Sequence, residues 1–149
     1  MIITDEDGLR WVRTGDLGHI TEDGLLFHEG RIRRIYMTAY DGQPAKIFPM
    51  LVEGALMRSA FINECSVVGR KRKDSDYYEA VAFVVKNNSG ADESIITAEF
   101  TNICDDNVPT YMIPAEYHFV EELPRTPIGK IDFCLLEKEA ERLQMTPQQ

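Results

Sequence analysis

Apolar positions come in short groups along the first third of the chain: Leu9–Val12, Leu17–Ile20, Leu25–His28 and Ile32–Met37, with Gly and Asp between them. Spacing of this kind predicts a small antiparallel β meander, and Glu22-Asp23-Gly24 is its clearest turn. The period changes after Pro49. Leu51, Ala55, Leu56 and Ser59 recur at helical intervals, and proline suits a first helical turn, so a helix is expected to about Phe61. Cys65–Gly69 and Ala80–Val85 are β-rich apolar runs that should form the core sheet, joined by the charged hairpin connection 70–78. Lys86–Gly90 is a polar turn. Residues 92–105 place Ile95, Ile96, Phe100, Ile103 and Cys104 on one face of a second helix. Pro109 and Pro114 bracket a rigid connection into the strand-like 117–120, and Pro124 and Pro127 interrupt the chain again. A last helix is expected near 133–143, capped by Asp132, with a polar tail from Gln144. Like charges at Glu137 and Glu141, and at Lys138 and Arg142, predict an exposed face not organised by simple ion pairing. The sum is an α+β fold: a small mixed sheet with flanking helices, preceded by the meander.

Composition narrows the classes. With 149 residues, 44% hydrophobic and 28% charged, the chain can bury a core without staples. No apolar run approaches the ~20 residues of a membrane span, and the mixed, acidic opening Met1–Gly8 does not resemble a secretory signal, so a cytoplasmic location is expected. A net charge of -9 argues against nucleic acid or anionic lipid as partners. Arg31, Arg33 and Arg34 form one basic cluster and residues 70–73 another, and each by itself reads as a solvated face. Cys65, Cys104 and Cys134 are widely spaced and odd in number, which suggests buried thiols. His19, His28 and His118 are scattered with no partner at metal-ligand spacing, so no protein metal site is expected. Trp11, Tyr77 and Tyr78 suit packing or rim positions.

Four stretches in fixed order carry more information: Arg13-Thr14-Gly15-Asp16-Leu17-Gly18, Gly30-Arg31-Ile32-Arg33-Arg34, Val108-Pro109-Thr110-Tyr111-Met112-Ile113-Pro114, and Pro124-Arg125-Thr126-Pro127-Ile128-Gly129-Lys130-Ile131-Asp132. Taken singly, Asp16 would be turn chemistry, Arg31 an exposed strand arginine and Lys130 a solvent-facing loop lysine. Together, over about residues 8–136, they resemble the C-terminal part of the adenylate-forming superfamily, which includes acyl-CoA synthetases, adenylation domains of peptide synthetases and beetle luciferases.

The resemblance implies roles. Asp16 matches the carboxylate that accepts hydrogen bonds from the ribose hydroxyls of ATP, and Arg31 an arginine near ribose and phosphate. Arg33 stands at the hinge position, usually Asp or Lys, about which a mobile lid turns between adenylation and thiol-transfer poses. Gly42 matches a glycine beside the pantetheine arm of CoA, although Gln43-Pro44-Ala45-Lys46 reads as a lengthened loop and leaves a simple turn glycine as the alternative. Lys130 matches the lysine that stabilises charge as a carboxylate attacks the α-phosphate of ATP. Magnesium is expected only with the ATP phosphates.

No Gly-, Ser- and Thr-rich phosphate loop occurs, and there is no room for an acyl pocket. The resemblance therefore implies residues 1–30 as the terminal β segment of a large ATP-binding domain and 31–149 as the lid. On this basis the chain is a part of an AMP-forming acid-thiol ligase, expected to be inactive alone. Its implied partners are a large N-terminal domain, a carboxylic acid, and CoA or a carrier-protein thiol. Two alternatives stand beside it: the lid of a peptide-synthetase adenylation domain, and a non-catalytic module docking a carrier protein or separate large domain through Arg33 and 43–46.

Overall fold

The computed structural model describes residues 1–145. Two exposed β-hairpins come first, β1 (Ile2–Thr4) with β2 (Arg10–Val12), then β3 (Asp16–Ile20) with β4 (Leu26–Arg31). The expected meander is thus two separate two-stranded ladders, and the apolar run from Ile32 is divided between a 3-10 turn, Ile32–Arg34, and strand β5, Tyr36–Tyr40. Ile2, Trp11, Val12, Ile20 and Leu26 are all exposed, so these hairpins build no core of their own.

β5 pairs antiparallel with β6 (Gln43–Ile47), from Tyr36 opposite Ile47 to Tyr40 opposite Gln43. Residues 43–46, expected as a lengthened loop, are therefore strand. Asp41 and Gly42 make the two-residue turn, both at positive φ (51° and 73°), as the twist of a tight hairpin demands. Pro44 is tolerated because β6 is an edge strand with no neighbour beyond β5.

Helix α1 runs from Pro49 to Leu56, ending earlier than its periodicity suggests. The chain turns off at Met57, and Ser59 is drawn inward instead: its hydroxyl donates to Glu99 at 2.6 Å and accepts the Phe61 amide at 3.2 Å. β7 (Ile62–Lys71) and β8 (Tyr78–Lys86) form the long antiparallel pair, and β9 (Glu116–Val120) adds parallel to β8 after helix α2 (Glu93–Asn107), giving a mixed sheet. α3 (Phe133–Met145) closes the fold. Asp132 caps it, its carboxylate accepting the Leu135 amide at 3.0 Å. Gln144 and Met145 still belong to this helix, and the rest of the expected tail lies outside the described residues.

Both faces of the sheet are covered, which explains why its strands read as unbroken apolar runs. Val67, Ala82 and Val84 face α1 and α2 with Val52, Leu56 and Phe100, while Val68, Val81 and Phe83 face α3 with Leu136 and Ala140. Two expectations fail here. Arg70 is not on a solvated face: it is 3% exposed, donating to Glu79 of β8 at 2.7 and 2.9 Å and to Glu116 of β9 at 2.7 and 2.9 Å. Of the three thiols, Cys65 and Cys104 are buried but Cys134, on the outer side of α3, is exposed.

Candidate functional site

Asp16 opens β3 directly opposite Arg31 at the end of β4. A register shift between Leu17 and Gly18 inserts one extra residue, Glu29, in β4, so that Arg31 and His28 both share the face of Asp16. Arg31 Nε lies 3.0 Å from Asp16 Oδ1, and its Nη1 donates to the Thr14 carbonyl at 2.8 Å. His28 Nε2 is 3.7 Å from the same carboxylate oxygen, too far for a hydrogen bond. Gly15, at φ +80°, turns the chain so that its carbonyl accepts the Ile32 amide at 2.9 Å. The result is a partly open carboxylate held by one cation, with oxygens still available to an outside donor. Gly18 keeps this face flat, since a Cβ there would sit 2.5 Å from the Phe27 carbonyl oxygen.

Arg33 stands exposed on the 3-10 turn and, among the described residues, makes no hydrogen bond or ion pair. Its neighbour Arg34 behaves oppositely. Arg34 Nη2 donates to Glu53 of α1 and to the Val67 carbonyl at 3.0 Å, and the guanidinium lies 3.8 Å over the ring of Phe133. Arg13, Arg31 and Arg33 line an open groove whose far wall is Phe133, Cys134 and Glu137 of α3.

Lys130 belongs to a loop of fixed shape. The Thr126 carbonyl accepts the Gly129 amide at 2.8 Å, the Thr126 amide donates to the Lys130 carbonyl at 2.7 Å, and the Asp132 amide donates to the Pro124 carbonyl at 2.8 Å. Arg125 ties it to the sheet, donating to Glu64 at 2.6 Å and to the Gly129 carbonyl at 3.2 Å. Gly129 has φ +80°, a value that side chains rarely adopt. The Lys130 side chain is exposed and has no hydrogen bond or ion pair among the described residues, so its ammonium is presented rather than spent on packing.

The structure thus pairs Asp16 with Arg31 and sets Arg33 in a groove that Arg31 also lines, whereas Lys130 and Gly42 each stand on separate exposed turns and line neither groove bounded by Arg31. Sequence reasoning missed Glu53, Arg34 and Arg125 as organisers of these turns. Arg125 lies inside the last motif, but its partner Glu64 is 61 residues away, and nothing local points to it. No three His, Cys, Asp or Glu side chains gather as a metal site would require among the described residues.

A three-layer α+β body that follows exposed hairpins is the form of the C-terminal domain of adenylate-forming enzymes. The sequence matches the model of the AMP-binding enzyme C-terminal domain over residues 51–130, ending on Lys130, and the chain belongs to that family. It is 32% identical over 121 residues to indoleacetate-CoA ligase of Aromatoleum aromaticum, covering 81% of this chain and 22% of that protein. It is 33% identical over 121 residues to 2-succinylbenzoate-CoA ligase of Listeria monocytogenes, covering 81% and 24%. Among solved structures, an anthranilate CoA ligase in complex with anthranoyl-AMP superposes with a TM-score of 0.74 at 26% identity, over 89% of this chain and 25% of that one. The chain spans about a quarter of the length of the curated relatives it matches.

Proposed function

We propose that this chain is the mobile lid, with its hinge approach, of an AMP-forming acid-thiol ligase of acyl-CoA synthetase type. Residues 1–30 then complete a large ATP-binding domain, and the lid follows from Arg31. The exposed apolar side chains of the two hairpins support a large domain as the partner that covers them, since they find no cover among the described residues.

In the first half-reaction a carboxylic acid attacks the α-phosphate of magnesium-bound ATP, giving acyl-adenylate and pyrophosphate. Asp16 accepts the ribose hydroxyls, Arg31 holds Asp16 in place and faces the same nucleotide, and Lys130 neutralises charge on the reacting and departing oxygens. The lid then turns about Arg33, withdraws Lys130 and brings the Gly42 turn to the thiol, CoA or a carrier-protein arm, that displaces AMP. Gly42 has no atom within 4 Å of where its Cβ would be, so the turn has open space for a thin arm to pass.

The observation that carries this reading is the braced, exposed presentation of Lys130. A hydrogen-bonded loop that leaves its cation unpaired suits chemistry in a partner site. The test is pyrophosphate release across a panel of carboxylic acids by the enzyme that joins this chain to the large domain its relatives possess. Lys130→Ala should slow adenylation on the order of a hundredfold or more, with thioester formation from supplied acyl-adenylate preserved. Unchanged adenylation would leave the docking-module alternative as the better account.

A further inference from the structure

The 3-10 turn Ile32–Arg34 is pinned at both ends and free in its middle. On the near side, Arg31 is fastened to the Thr14 carbonyl and to Asp16, and the Ile32 amide to the Gly15 carbonyl. On the far side, Arg34 and Glu53 are only 17% and 18% exposed and are joined by two guanidinium-carboxylate contacts, at 2.5 and 3.4 Å. Glu53 Oε1 also accepts the Val67 amide at 2.9 Å, while Arg34 donates to the Val67 carbonyl at 3.0 Å, so both backbone groups of one β7 residue are held by the pair. Phe133 of α3 stacks beneath the guanidinium. One arginine thereby binds the 3-10 turn to α1, β7 and α3. Between the Ile32 amide and the Arg34 side chain the backbone of Ile32 and Arg33, both exposed, is spanned by one long hydrogen bond, Ile35 amide to Ile32 carbonyl, at 3.3 Å.

We infer that Arg34 and Glu53 form a clamp at which the lid's rotational freedom ends, confining the pivot to Ile32 and Arg33 and making everything from Arg34 onward turn as one body. The inference rests on the proposal that the lid rotates, and it makes Arg34 and Glu53 positioning residues. A pivot only two residues long converts a change of a few backbone dihedrals into a swing of the whole sheet, without spreading disorder into β5. Arg33 needs no particular charge for this, and it makes no hydrogen bond or ion pair among the described residues.

The clamp is tested on the 149-residue chain by backbone amide relaxation and hydrogen exchange. In the unaltered protein, reduced heteronuclear NOE values should be confined to Ile32 and Arg33, and the Val67 amide should be protected. Glu53→Gln removes the charge at nearly constant shape. It should extend the low-NOE stretch through Ile35 and speed Val67 amide exchange at least about tenfold, leaving the β8 amides unchanged. Arg34→Met should do the same, and Arg33→Ala should do neither. The inference is overturned if both clamp variants leave Arg34, Ile35 and Val67 as they were, or if the unaltered protein shows no break at Ile32 and Arg33. Because these measurements require no catalysis, their outcome is independent of the Lys130→Ala assay, and either proposal can fail alone.

Discussion

Replacing glycine by alanine at two positions should move stability in opposite directions. Gly69 lies in β7 under the face of Tyr36: a Cβ there would be 2.3 Å from two ring carbons and 2.8 Å from a third. Tyr36 is 7% exposed and cannot yield cheaply, because its hydroxyl donates to Glu137 of α3 at 2.5 Å. Gly69→Ala must therefore strain the core or break that bond. Overpacking costs about 1–3 kcal/mol, and a hydrogen bond to a charged acceptor contributes about 1.5–3 kcal/mol, so a loss of about 3 kcal/mol is expected. At roughly 2–4 °C per kcal/mol for a chain of this size, Tm should fall by about 6–12 °C. Gly54 lies inside α1 with nothing within 4 Å of its would-be Cβ, and Gly54→Ala should stabilise by about 0.5–1 kcal/mol through helix propensity and a less flexible unfolded state. Urea unfolding of the three proteins followed by circular dichroism measures both. If Gly69→Ala falls within about 0.5 kcal/mol of the unaltered protein, a range ordinary for surface substitutions, the close approach of Tyr36 to β7 is refuted.

Acid sensitivity should centre on Arg70. Its hydrogen bonds hold the Glu116 carboxyl below the ordinary carboxylate range, with His118 adding to the effect. A depressed folded-state pKa gives stability that is present above the ordinary carboxylate pKa and lost as pH falls through the lowered one, so the unfolding midpoint should drop on acidification from neutral pH into that range. Arg70→Met should destabilise at neutral pH by about 2–3 kcal/mol, discounted because Glu116 is one-third open, and should flatten this acid slope; an unchanged slope would refute the assignment. Thiol titration should find one fast group, Cys134, since burial pushes Cys65 up to about 12 and also raises Cys104; three fast thiols would contradict the packing of the sheet against α1 and α2.

Local pattern carried far in this chain, and it failed where partners are remote. Pro49 announces α1, the segment 92–105 becomes α2 with Ile96, Phe100 and Cys104 buried but Ile95 turned to the exposed side, and Asp132 caps α3 where expected. The apolar runs 65–69 and 80–85 lie within β7 and β8, because strands buried on both faces need no alternation. Residues 43–46 were misjudged because proline and lysine suit a loop and an edge strand alike, and only pairing with β5 separates the two. Arg70 was misjudged for a similar reason. Its charge suggests solvent, but Glu79 and Glu116, 9 and 46 residues onward, draw it inside. Of the candidate site, the motif residues could be named but not their supports, since Glu64 and Glu53 contribute through partners brought near by folding.

The brace between Arg125 and Glu64 makes the final placement of the lysine loop depend on distant parts of the chain. It requires β7 to be in the sheet and the chain to have travelled through β8, α2 and β9 before returning, and contacts across such separations are entropically the slowest to close. Until then the Lys130 loop has its own backbone hydrogen bonds but not its tie to the sheet. The same contact couples the loop's placement to the completed sheet, so that Lys130 takes its position relative to the domain only once the domain is formed.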